Sequence, residues 1–299
     1  MQALEKINVA PLWMVTILVC LIDAAWMHAG GWTIDHASLR AHIWVIVLLL
    51  SILAFPRFRH EPRVRGTVSL MALLLVFSNA SAVLSYLVVS TNAPLIDGTL
   101  SAWDKAVGFD WRAYFLWMQS HPMPRRIFID AYDSLLPQLM WVVIFLGFTA
   151  RFGTLLRFIE LLILSSLVTV VISGLFPAAG AWKFYAVGSH VNTQIVSHFE
   201  PLRDGTLRTI DLFNMQGLIS IPSLHTALAI LLPYSMWRSA CAYPFILLNA
   251  AMIISTPVEG GHYLVDVLAG GTLAVVAIGF SMLRMRITAR YCPVPQNVS

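Results

Sequence analysis

Charge is what this sequence has least of. Asp, Glu, Lys and Arg make up 11% of its 299 residues, while 58% are hydrophobic. A soluble domain of this size carries about a quarter charged residues. That excludes a chain coated all round with polar groups and leaves most of the apolar surface to face lipid. Mean hydropathy is +0.76. Cysteine is scarce as well. Cys20, Cys241 and Cys292 form neither a disulfide framework nor a zinc spacing. No period-2 alternation runs through the apolar stretches, and an open sheet cannot satisfy its backbone in lipid, so strands are not expected. Internal repeats, low-complexity segments and interdomain linkers are absent too. The first apolar run lacks a small-residue cleavage pattern and is expected to be retained. The length suits one compact helical bundle.

What is present is a series of Leu-rich runs. A spanning helix needs roughly 20 mostly apolar residues. Candidate spans are 10–29, 41–56, 67–90, 127–149, 161–176, 219–237, 242–256 and 264–283. The expected fold is an all-α polytopic membrane bundle of about eight transmembrane helices. The formal net charge of +4 would hint at nucleic acid in a soluble protein. Here the arginines sit in short loops and read as topology, so no nucleic-acid partner is expected. Arg57, Arg59, Arg63 and Arg65 follow span two. Arg151 and Arg157 lie between four and five, Arg238 follows six, and Arg284, Arg286 and Arg290 follow eight. With eight spans, all fall on the side of both termini, which is then cytoplasmic.

The longer loops 91–126 and 177–218 face the other way. Loop 91–126 carries Trp103, Phe109, Trp111, Tyr114, Phe115 and Trp117, with Asp104, Lys105 and Arg112 between them. It reads either as a helix lying in the interface, apolar side down, or as a plain aromatic belt.

Two segments could carry chemistry. Ser220-Ile221-Pro222-Ser223-Leu224-His225 stands where a polar loop meets span six. Pro222 suits the first turn of a helix, and a helix start offers free N–H groups and a positive dipole end to a phosphate. Plain N-capping beside an interfacial histidine is the competing reading. Glu259-Gly260-Gly261-His262-Tyr263-Leu264-Val265-Asp266 opens span eight. His262 and Asp266 are four apart and share a face if both are helical. An Asp beside an imidazole fixes its tautomer and stabilises charge that builds during nucleophilic attack. A self-satisfied structural pair, or half of a metal site completed by His225, would use the same residues. A carboxylate near a membrane boundary is costly, which favours function. Both segments fall on one predicted face, joined by the hairpin of spans six and seven. They suggest a nucleophile, its orienting acid and a proton donor.

Loop 177–218 is expected to supply an anion clamp. Its basic residues are Lys183, Arg203 and Arg208, with Lys183 and Arg203 the preferred contacts to a substrate phosphate. General contact with lipid headgroups is the competing role. Asp23, Asn79, Asn249, Asp130 and Asp133 are further polar residues in or at spans, read as interhelical partners or cavity-facing groups.

Pro222-Ser223-Leu224-His225 resembles the second motif, Pro-Ser-Gly-His, of the type-2 phosphatidic acid phosphatase superfamily. Ser255-Thr256, then His262 and Asp266 at the same intervals, resembles its third motif, in which arginine follows the serine. Leu224 and Thr256 depart from the pattern, and no Lys-x6-Arg-Pro first motif is found. Leu175-Phe176-Pro177 leading to Trp182 and Lys183 looks more like the inositol phosphorylceramide synthase branch. The resemblance covers roughly residues 67–290. It implies two added N-terminal helices (1–66), a six-helix phosphatase-type catalytic core (67–290) and a cytoplasmic tail (291–299). It implies that His262 attacks phosphorus to form a phosphohistidine, that Asp266 orients it, that His225 protonates the leaving group and that Ser223 binds phosphate. It implies no metal and no cofactor. The expected function is therefore a membrane lipid phosphotransferase or phosphatase, of the inositolphosphotransferase kind or a simple phosphatidate or polyprenyl-phosphate phosphohydrolase. The expected partners are a phospholipid or other lipid-phosphate substrate and the bilayer. In a bacterium the protein would lie in the inner membrane with its site facing the periplasm. A non-enzymatic lipid transporter would instead show inverted repeats and broken helices at mid-membrane, and a degenerate, inactive member is a further alternative.

Overall fold

The Leu-rich runs form helices because no other backbone can close its own hydrogen bonds in lipid. The computed structural model describes residues 9–187 and 197–291. Cys292 and the rest of the tail beyond Tyr291 lie outside the described residues. The helices are α1 (Ala10–Gly30), α2 (His36–Ser51), α3 (Pro56–Arg59), α4 (Pro62–Val89), α5 (Asp97–Ala106), α6 (Trp111–Ser120), α7 (Pro122–Asp133) and α8 (Leu135–Phe148). They continue with α9 (Phe152–Leu175), α10 (Ala181–Phe184), α11 (Phe199–Arg203), α12 (Leu224–Met236), α13 (Ala242–Glu259) and α14 (Leu264–Tyr291). The protein is an all-α polytopic membrane bundle.

Six helices among the described residues are long and apolar enough to cross a membrane, with α2 extended by one turn to Ala54. A seventh crossing arises if α7 and α8 count together, although they are bent by 47° at Ser134. The sixth expected span, 219–237, is the exception. It begins at Leu224 rather than Ile219, and its 13 residues rise only about 20 Å, short of the roughly 30 Å hydrocarbon core. Ile219 and Ile221 are apolar, but they lie in loop backbone that turns into the site.

Leu73 and Phe77 of α4, Leu146 of α8, Phe158 of α9, Leu231 of α12 and Met252 of α13 meet in one central buried cluster. By contrast α2 buries only Ser38. The arginine loops gather at one end. Arg151 donates to the Arg238 carbonyl at 2.8 Å, Arg157 reaches the Met285 sulfur, and Arg284 pairs with Glu160 at 2.6 Å.

At the other end, a two-residue parallel bridge joins Thr33–Ile34 (β1) to Thr209–Ile210 (β2). It fastens the N-terminal helices to the loop before α12, assisted by the Leu212 N–H donating to the Ser38 hydroxyl at 3.2 Å. The aromatic loop departs from both readings given for it. It forms α5 and α6, and their apolar faces turn into the protein. Leu100, Trp111, Phe115 and Met118 are buried against Trp182, Val258 and Tyr263. Trp103 and Trp117 stay exposed. The periodic apolar stripe is satisfied by the loops beneath it rather than by lipid.

Candidate active site

The chain enters α12 through Ser223, whose extended backbone and side chain make it the N-cap. Its hydroxyl accepts from the Thr226 N–H at 3.3 Å. Pro222 therefore precedes the cap instead of occupying the first helical turn, because the serine takes the capping role. The same hydroxyl lies 3.5 Å from His262 Nε2. The capping reading of Ser223 holds, and the cap lies against the His262 ring. One turn on, the His225 ring stacks on Tyr132, centroids 4.4 Å apart and planes 12° from parallel. The break between α7 and α8 falls two residues after Tyr132.

His262 and Asp266 meet by a different route from two neighbours on one helix face. α13 ends at Glu259 and α14 starts at Leu264, so His262 lies in the loop between them. Gly261 bends that loop with a φ of +63°, a conformation glycine adopts without steric cost. Asp266, in the first turn of α14, folds back so that Oδ2 accepts from the Tyr263 N–H at 3.0 Å, as the acidic member of a capping box does. Oδ2 also accepts from the Ser220 hydroxyl at 2.6 Å and lies 3.4 Å from His262 Nδ1. Asp266 is fully buried and His262 nearly so. The imidazole thus has its Nδ1 toward a buried carboxylate and its Nε2 toward the α12 N-cap. The α12 and α14 loops are laced together by the Ser223 N–H donating to the Asp266 carbonyl at 3.0 Å. Gly270 lets α14 approach so closely that a Cβ there would collide with the Ser223 carbonyl.

Two acidic residues that sequence reasoning did not single out for the site hold these loops in place. Asp104 of α5, fully buried, accepts from the Leu264 and Val265 N–H groups at 3.0 and 2.9 Å. It satisfies two free donors at the start of α14. Burial pushes its carboxyl above the usual carboxylate range, while those two donors pull it back. Asp97 accepts from the Ala179 and Gly180 N–H groups at 2.9 and 3.0 Å and from the Tyr263 hydroxyl at 2.9 Å. Burial, with Asp97 next in effect, raises the Tyr263 phenol. The Trp111 indole donates to the carbonyls of Pro257 and His262, both at 3.0 Å, and the Trp182 indole to that of Val258 at 2.6 Å. The lone sequence signal for any of this was acid among the aromatics.

His225 and His262 line one cavity of about 280 Å³. Its walls are mostly apolar, from α4, α8, α9 and α12, but carry Ser78, Ser81, Ser85, Ser166 and Thr169. The structure thus brings Ser223, His225, His262 and Asp266 together. It seats Lys183 and Arg203 elsewhere. Lys183 forms an ion pair with Glu200 and Arg203 donates to the Ala93 carbonyl at 2.9 Å. Both cations sit over the Phe199 ring, 5.4 and 5.5 Å from its centroid. Partial burial, reinforced by Arg203, draws the Lys183 ammonium below its ordinary value. Phe199 lines a small cleft with Ser220 and Gly261, and neither cation lines that cleft or the histidine cavity. Another cation, Arg125, lies 3.8 Å from Glu259.

Thr256, standing where the resembling motif has arginine, is fully buried. Its hydroxyl donates to the Met252 carbonyl of its own helix at 2.7 Å. Among the described residues no group of three or more His, Cys, Asp or Glu converges as a metal-holding set.

Comparison with known proteins gives a family. No curated protein and no solved structure matches the chain. Residues 98–280, well over half of the chain, match the model of the PAP2 superfamily. That span holds α5 through most of α14, including both histidine loops. The chain belongs to the PAP2 superfamily.

Proposed function

We propose that this protein is a membrane lipid phosphotransferase or phosphatase working through a phosphohistidine on His262. The observation that carries the proposal is the cavity shared by the two histidines, with a buried Ser220–Asp266 pair behind one of them. In the first step His262 Nε2 attacks phosphorus. The bond from phosphorus to the leaving oxygen breaks, and His225 gives that oxygen a proton. Asp266 orients the imidazole through Nδ1 and balances the positive charge that develops. In the second step an acceptor hydroxyl loses its proton to His225 and its oxygen takes the phosphoryl group from His262. Ser223 and the free N–H groups at the start of α12 bind the phosphoryl oxygens. No step calls for a metal.

The mostly apolar cavity walls favour a lipid phosphate over a soluble one. The acceptor is water in a phosphatase and a lipid alcohol in a transferase. The hydroxyl-lined α4 and α9 walls suit a polyhydroxylated headgroup, so the inositolphosphotransferase-like branch is the reading adopted. Arg151 donates to the Arg238 carbonyl just beyond the end of α12 away from His225, so by the positive-inside rule the arginine end is cytoplasmic. In a bacterium the site then faces the periplasm of the inner membrane, with both termini cytoplasmic.

The test is a panel of radiolabelled lipid phosphates offered to purified protein with and without a lipid alcohol. Released phosphate and new lipid are both scored, and protein is quenched in alkali to retain phosphohistidine. The wild type is expected to trap label on His262. His262→Ala should lose both trapping and turnover, and His225→Ala should lose about a hundredfold to ten-thousandfold in rate. Full turnover of every lipid by His262→Ala would overturn the mechanism.

A further inference from the structure

A second cavity, of about 270 Å³, lies between α1, α2 and α4. It shares no lining residue with the histidine cavity. Val76, Asn79, Ala80 and Val83 face it from α4, whereas Ser78, Ser81 and Ser85 of the same helix face the histidines. Its walls are almost wholly apolar, and Ile43, half exposed, opens it toward the lipid side. Into this apolar space projects Asp23, which is 94% buried by its 6% exposure. Its Oδ1 finds no hydrogen-bond partner among the described residues.

A carboxylate in a membrane span with nothing to accept from is expensive, and such residues mark sites. Asn79 on the same wall donates to the Leu75 carbonyl of its own helix at 2.8 Å, and the third polar group there is His42. Its Nδ1 lies 2.8 Å from the Ser38 carbonyl, and a carbonyl can only accept. The proton of the neutral ring is therefore on Nδ1, and Nε2 is left as an acceptor. Asp23 and His42 both ask for a donor.

We propose that this cavity is a second lipid site, taking an aliphatic chain whose polar end donates hydrogen bonds: a long-chain alcohol or amine. The donor satisfies Asp23 and the chain fills the space between α1 and α2. Apart from Leu212, every lining residue lies before residue 98, where the family match begins, so the site is built chiefly by this chain's N-terminal part. It is independent of the phosphoryl-transfer reading.

The experiment uses the full chain in lipid nanodiscs. Three photoreactive probes of one chain length are offered, an alcohol, an amine and a methyl ester that lacks a donor, and labelled peptides are mapped by mass spectrometry. The alcohol, the amine or both are expected to label α1, α2 and α4 peptides about tenfold more than the ester, as one hydrogen bond to a buried acceptor implies. Whichever labels identifies the natural head. Asp23→Leu should bring the preferred probe down to the level of the ester. Ala24→Phe, at an exposed position on the cavity wall, should block all probes while leaving the carboxylate in place, and it decides the matter if Asp23→Leu fails to fold. Equal labelling by the ester, or labelling of α1, α2 and α4 that survives Ala24→Phe, would overturn the proposal.

Discussion

Removing the Asp104 carboxylate tests whether α5 holds the catalytic loop in position. In Asp104→Ala the N–H groups of Leu264 and Val265 lose acceptors at 3.0 and 2.9 Å, and the α14 N-terminus loses a negative charge. The capping loss alone is about 0.5–2 kcal/mol, and a buried donor left without a partner costs about 1–3 kcal/mol. Water at the loop rim can replace part of this, so the expectation is about 2 kcal/mol. By the scaling of 150–250-residue domains, that is a fall in Tm of roughly 4–8 °C. The larger effect is on rate. His262 and Asp266 flank the two released N–H groups, and a shift of about 1 Å in reacting groups can cost a hundredfold. Thermal unfolding in detergent and kcat at saturating lipid are the two assays. Asp104→Asn keeps one acceptor oxygen and should fall between the wild type and the alanine variant in both. An Asp104→Ala protein with unchanged Tm and unchanged kcat would refute the clamp. A lowered Tm with full kcat would leave Asp104 as a stabilising residue with no hold on the site.

Ser220→Ala removes one of the donors to Asp266 Oδ2 and leaves the Tyr263 N–H. Losing a hydrogen bond of about 1.5 kcal/mol to a charged group should lower kcat about tenfold with KM little changed, read by initial rates across lipid concentration; an unaltered kcat would detach Ser220 from catalysis. Lys183 and Glu200 give a pair of opposite sign. If Lys183 reaches the substrate phosphate, Lys183→Ala raises KM several-fold, whereas Glu200→Gln frees the ammonium and lowers it, and Arg203→Ala follows Lys183→Ala. A purely structural ion pair would instead lower Tm in both variants without moving KM.

The spans and the histidine loops were legible because each is written locally. Hydropathy marks α1, α4, α9 and α14 over single runs, and Pro222 to His225 and His262 to Asp266 are short patterns. What was not legible depends on backbone path or on distant partners. The start of α12 was misplaced because hydropathy weighs Ile219 and Ile221 by side chain, whereas the loop needs their backbone to carry Ser220 to Asp266. The face that α5 and α6 bury was read toward lipid or its interface because an amphipathic stripe states that a partner exists and not which one. Asp104 lies about 160 positions from the N–H groups it satisfies, and Asp97 lies 166 from Tyr263. No spacing rule reaches that far.

The boundary of the working unit follows from the same geometry. The family match starts at residue 98, one residue after Asp97, yet Asp97 fixes Gly180 and Tyr263, and α4 supplies three of the serines lining the histidine cavity. The fragment 98–280 alone would lack one wall of that cavity and one of the two carboxylates bracing its loops. The physical unit of the site therefore extends back through α4. The far face of α4 borders the Asp23 cavity, so this one helix walls both cavities.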